Sequence, residues 1–201
     1  MKNKIVTEIL DYLKLLFFVL VITTILNTLV FTFSTVKQSS MEMTLMENDV
    51  LVIEKLTMMF EAPKQGDIVV FVENEYVTDD YLIKIKVLYE DMLAKFTGNS
   101  KRMRLVKRVI GTPGDLVDIK DGYVYVNGDK LEETYTEDLT FPSMIQYPIT
   151  LSEDDYFLLG DNRDVSRDSR HFGLVSLRQI EGKAIFRIAP LNKIGSVKAN
   201  I

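Results

Sequence analysis

A serine at position 40 stands in the stretch Gln38-Ser39-Ser40-Met41-Glu42-Met43-Thr44-Leu45, a few residues past the one long apolar run of the chain, Leu15 to Phe33. A serine hydroxyl is a weak nucleophile by itself and needs a neighbouring base. Histidine, the usual base, occurs once in the 201 residues, at His171, and cysteine not at all. Without cysteine there is no disulfide framework, no thiol nucleophile and no Cys-ligated zinc. A single histidine cannot build a His-rich metal site, and no carboxylates are spaced like a calcium loop. No metal and no other cofactor is therefore expected. The net charge of -5 argues against a nucleic-acid partner, which calls for a basic face.

The elements that would position Ser40 follow from the hydropathy pattern. Leu15 to Phe33 carries no charge, and its length suits a hydrocarbon core of about 30 Å at about 1.5 Å per residue. It is too long for the apolar part of a signal peptide, and the bulky Phe31-Thr32-Phe33-Ser34 offers no small-x-small cleavage site. The expected organisation is a short polar segment over residues 1–14, a transmembrane anchor over 15–35 and a β-rich domain over 36–201. Lys2, Lys4 and Lys14 flank the run on one side, while only Lys37 is basic on the other, among Glu42, Glu47 and Asp49. That asymmetry predicts the N-terminus in the cytoplasm and the domain outside.

Beyond Ser40, Asp49 to Lys55 alternates and is β-branched, which reads as a strand, and Ile68 to Phe71 reads as a buried strand after the turn Pro63-Lys64-Gln65-Gly66-Asp67. A charged insertion over residues 73–104 interrupts the sheet. Its middle, Tyr81 to Phe96, sets Leu82, Ile85, Tyr89, Met92, Leu93 and Phe96 at helical spacing, which predicts a surface helix covering the edge of the core. Leu105 to Ile110 is the next strand. Val117 to Ile119, Tyr123 to Val126 and Asn127-Gly128 form a hairpin pattern within a β excursion over 120–155. Tyr156 to Leu159 is a buried strand leading into a polar loop, Gly160 to Arg170, and Ile185 to Ile188 is expected to be the last strand.

Three pieces stand out together: Ser40 in SSMEMTL, Lys107 in LVKRVIGTPGD, and the loop GDNRDVSRDSRHFG from Gly160. In this order, behind one apolar span and the strand Pro63 to Phe71, they closely resemble the bacterial type I signal peptidases, membrane-anchored serine proteases with a Ser–Lys pair. The resemblance implies Ser40 as nucleophile and Lys107 as general base. It makes Ser166 the hydroxyl that orients the Lys107 amine, and Asp168 and Arg170 a buried ion pair that shapes the loop. It gives Val36 and Val106 to shallow pockets that select Ala-like side chains. His171 has no counterpart in the family pattern and reads as structural. The residues fit this reading: Lys107 lies between Val106 and Val109, and burial disfavours an ammonium, whose ordinary pKa of about 10.4 would forbid its use as a base.

Two positions depart from the family pattern. Gln38 stands where Gly or Ser is common, so the oxyanion hole rests on the Gln38 amide or on the Ser40 backbone N–H. Met43 stands where proline is usual. The reading in full is a mainly β fold of coiled antiparallel sheet behind one transmembrane helix. Its function is that of a serine endopeptidase removing signal peptides from secretory precursors at the outer face of the cytoplasmic membrane, cutting after small residues. The partners are those precursors and the lipid bilayer. The alternative is a specialised or non-cleaving relative that binds precursors for surface-fibre assembly. Such a chain is expected to have lost its serine or lysine, and this one keeps both.

Overall fold

The computed structural model describes residues 2–73, 75–77, 80–97 and 102–197, with the side chains of residues 2, 3, 95 and 96 outside that description. Residues 74, 78–79 and 98–101 of the expected insertion, and the side chain of Phe96, thus lie outside the described residues.

The chain opens with helix α1 (Lys2–Ile25), continues through a π-helical turn (Leu26–Val30) and passes directly into strand β1 (Phe31–Thr35). Among the described residues, one helical segment, Lys4–Val30, is long and apolar enough to cross a membrane. Residues 2–14 are helical and run without a break into the apolar stretch, and one expected boundary differs. The anchor expected to reach residue 35 yields at Phe31, where Phe31–Thr35 pairs with β2 (Val50–Glu54) in antiparallel register. Thr32 and Thr35, with Phe31 and Phe33, favour the pleated, half-buried surface of a sheet, and pairing with β2 satisfies backbone groups that an isolated extended segment would leave open.

β3 (Ile68–Val72), α2 (Tyr81–Thr97) and β4 (Arg104–Gly111) follow. A small sheet is built from β5 (Leu116–Lys120), β6 (Tyr123–Val126), β7 (Asp129–Lys130) and β8 (Ile149–Thr150), so the excursion begins before residue 120 and its last strand ends before 155. Its first hairpin closes at Asp121-Gly122. Asn127-Gly128, with φ of 56° and 92°, joins β6 to β7 instead. Positive φ at both central residues is what a two-residue hairpin turn requires. β9 (Asp155–Leu159), α3 (Ser169–Phe172), β10 (Val175–Ser176), β11 (Ile180–Ala189) and β12 (Gly195–Ser196) complete the chain. The last strand is therefore β12, a short partner of β11.

In the main sheet the order is β1-β2-β11-β3-β4-β9-β10, and the pairings among the described residues are antiparallel. Period-two alternation along β3 divides the core. Ile68 and Val70 join a cluster with Val36, Met41, Leu45 and Ile53, while Val69 and Phe71 join one with Leu105, Val109 and Leu158. The small sheet has its own cluster around Val117, Ile119, Val124 and Phe157. α2 forms as the helical spacing predicts, but it packs on the turn Leu26–Val30 at the base of the anchor. The Tyr89 hydroxyl lies 2.7 Å from that of Thr24 on α1.

Candidate active site

Ser40 lies in a 3-10 turn (Ser39–Met41) that starts where the extended backbone of Gln38 ends. Met41 and Leu45 are buried in the first cluster and pull the turn onto the sheet. Lys107, in the middle of β4, is 1% exposed. Its Nζ donates to Ser40 Oγ at 2.5 Å. Burial pushes the Lys107 ammonium down to about 8, against the attraction of Asp168 and Asp161 and with help from Arg170. A nearly inaccessible amine touching a serine hydroxyl has the geometry a nucleophile–base pair needs for proton transfer.

The loop after β9 fixes this turn from the other side. Asn162 N–H donates to Ser40 O at 3.2 Å, and Asn162 Nδ2 to Ser39 O at 3.2 Å and Glu42 Oε2 at 3.3 Å. Gly160 is required by close approach: a Cβ there would fall 2.2 Å from Ser166 Oγ and 2.3 Å from Ser40 O. Asp168 takes Arg170 Nε at 2.8 Å and Nη2 at 2.9 Å, and also accepts Gly160 N–H at 3.1 Å. The expected Asp168–Arg170 pair is thus formed, and both residues are buried. His171 Nδ1 lies 3.8 Å from Asp168 Oδ1, beside this pair.

Ser166 is placed differently from its expectation. It is buried next to the Ser40 turn, but among the described residues its Oγ has no hydrogen-bond partner and does not hold the Lys107 amine. The amine turns to Ser40 instead, and the Ser166 hydroxyl sits against the Cα of Gly160. Gln38 is exposed, and its side chain does not cap the catalytic turn. Val36 is buried, and Val106, next to Lys107 in the chain, is partly buried and packs against the same cluster.

A second buried pair escaped the sequence reading. Arg108, opposite in direction to Lys107, gives Nε and Nη2 to Asp161 at 2.8 and 2.6 Å, and both side chains are fully buried. Arg108 also donates to Gly66 O and Thr44 Oγ1 and stacks on Tyr135, 3.9 Å from its ring centre. Thr44 Oγ1 bonds Asp161 Oδ2 at 2.5 Å. The pair therefore ties β4, the loop after Ser40 and the start of the Gly160 loop together. Its one sequence signal was alternation, which sends Arg108 to the face opposite Lys107.

The family model for "Signal peptidase, peptidase S26" matches residues 9–189. The chain belongs to this signal peptidase family. It is 35% identical over 161 residues to a probable signal peptidase I-2 of Synechocystis, covering 80% of this chain and 64% of that protein. It is 34% identical to a signal peptidase I of Leptolyngbya laminosa over 81% of this chain and 70% of the relative. It is 31% identical to signal peptidase IB of Staphylococcus aureus over 92% of each. A crystal structure of a signal peptidase I from Enterococcus faecalis matches with a TM-score of 0.40 at 30% identity, over 61% of this chain and 97% of that one. Signal peptidases of this family are membrane-anchored serine endopeptidases with a characteristic Ser–Lys dyad, and among its described residues this chain has a mainly antiparallel sheet behind one N-terminal apolar helix.

Proposed function

We propose that the protein removes signal peptides from secretory precursors at the outer face of the cytoplasmic membrane, with Ser40 as nucleophile and Lys107 as general base. The observation that carries this is the 2.5 Å contact from the buried Lys107 Nζ to Ser40 Oγ. Ser40 Oγ attacks the carbonyl carbon of the scissile bond while its proton passes to neutral Lys107. The Ser40 N–H, in the first turn of a short helix where backbone donors have no acceptor within the turn, faces the oxyanion. Lys107 then gives the proton to the leaving amine, and the acyl-enzyme forms. Water attacks the ester, Lys107 takes its proton and returns it to Ser40, and the processed signal peptide leaves as a carboxylate.

Val36 and Val106 line the pockets for small side chains, since β-branched walls leave little depth beside the dyad. Asp168 and Arg170 keep the Gly160 loop closed on the catalytic turn. Residues 1–14 face the cytoplasm, and the domain after the anchor lies outside, following the lysine asymmetry. Ser40→Ala and Lys107→Ala should each abolish cleavage of a precursor with alanine at the first and third positions before the cut, with circular dichroism unchanged. Near wild-type cleavage by either variant would refute the assignment.

A further inference from the structure

The apolar face beside the dyad does not end there. Val36, Ile53, Val70 and Ala184 form one buried cluster with Val106 packed against it, and Val106 adjoins Lys107 in the chain. Past Ile53 and Val70 the same face opens into a cleft of about 850 Å³, within the size range of ligand sites. Its floor includes Thr32 and Ser34 of β1, Val72 of β3 and Arg104 of β4. Its roof is α2, through Ile83, Val87, Leu88 and Met92. Asn27, Thr28 and Leu29, at the exit of the anchor, close its far side. The cleft therefore lies between the point where the chain leaves the apolar helix and the residues next to the dyad.

Three features suit an extended peptide. β1 is the edge strand of the main sheet and has a free side for main-chain pairing. Thr28 Oγ1, which lines the cleft, is buried and has no hydrogen-bond partner among the described residues, and a peptide group would supply one. The roof is latched, not loose. Arg104 joins Asp91 of α2 at 2.6 Å and Glu181 of β11 at 2.6 Å, and Tyr89 joins Thr24 of α1. A precursor held in the bilayer by its own apolar segment would leave it beside the anchor and pass under α2 toward Ser40.

We propose that the cleft under α2 binds the extended stretch of the precursor that joins its bilayer-held apolar segment to its small-residue cleavage site, which makes the inserted helix a substrate-binding element. This rests on the proposed function. At about 3.3 Å per extended residue, the cleft takes the residues from about the fourth before the cut onward, and the pockets at Val36 and Val106 keep the nearest three.

The test compares two substrates: a full precursor, and a short peptide running only from the third residue before the cut to the second after it. Val87→Trp fills the cleft from the roof. It should lower kcat/KM on the precursor about tenfold and leave the short peptide unchanged. Leu93→Trp, on the exposed side of α2, should alter neither. An equal loss on both substrates, or no loss on the precursor, overturns the proposal. In addition, a photoreactive residue six positions before the cut, in a precursor bound to the Ser40→Ala protein, should label residues 81–97. Labelling elsewhere, or none, also overturns it. If Ser40→Ala still cuts the precursor, the nucleophile assignment has failed, and that outcome is distinct from failure of the cleft.

Discussion

At the scale of single residues, Lys107 carries the most specific consequences. Its amine is pushed down to about 8 from an ordinary value of 10.5, so the neutral, proton-accepting form gains population as pH rises through about 8. Turnover of a precursor should climb across that range, and a profile flat from pH 6 to 10 would remove Lys107 as the base. The same shift has a stability counterpart. Between about pH 8 and 10.5 the unfolded chain binds more protons at this position than the folded one, so folding stability rises with pH there and the penalty of burying the ammonium is complete below that window. Lys107→Met should therefore be more stable than the parent at pH 7, with the gap in Tm closing toward pH 10. Met43 is the second telling residue. Its φ is 86°, which the proline ring, locked near -65°, cannot reach. The departure from the family pattern is thus matched by the backbone of the catalytic loop. Met43→Pro should cost more than about 1 kcal/mol in thermal unfolding and reduce turnover with it. Gln38 is exposed beside the turn, and we propose that it contributes weakly, because a long mobile amide costs entropy to fix on an oxyanion.

At the scale of elements, the fully buried Arg108–Asp161 pair joins β4 to both loops that frame Ser40. Removing one partner leaves an uncompensated buried charge, so Asp161→Asn should lose about 3–5 kcal/mol in denaturant unfolding, while replacing both partners with apolar residues should recover most of it. Equal losses for the single and double replacements would contradict this. The sequence made Lys107 legible because three motifs in fixed order picked it out, and it made the direction of Arg108 legible through strand alternation. The partner of Arg108 was not legible: three further aspartates, Asp164, Asp168 and Asp115, stand close to the same motifs, and only the closed loop selects Asp161. The end of the anchor was misplaced for a related reason. A continuous apolar run has no periodicity with which to separate helix from buried strand, and the cue in Phe31–Thr35, a mix of threonine and aromatic residues, is weak until β2 is there to pair with it. Helix α2 showed its type in its spacing, but its seat depends on the contacts of Tyr89 with Thr24 and of Asp91 with Arg104, pairs that come together only in three dimensions.

At the scale of the whole molecule, the proposed topology places the sheet outside the cell. Ser196, on β12, is exposed, and the chain has no native thiol. Ser196→Cys should be labelled on intact cells by a membrane-impermeant maleimide. Labelling only after lysis would reverse the orientation and with it the access to exported precursors.

The direct passage from the apolar helix into β1 governs how this catalyst meets its substrates. Because β1 is hydrogen-bonded to β2 within a few residues of the helix, the sheet has no leash on which to swing. Under the proposed topology, the height of Ser40 above the bilayer would be set by strand geometry, and the encounter would become a search in two dimensions. Each residue added to or removed from a precursor between its bilayer exit and its cut moves the scissile bond by about 3.3 Å. On that proposal the enzyme would act as a gauge with a fixed arm, reading distance from the membrane as well as the size of two side chains.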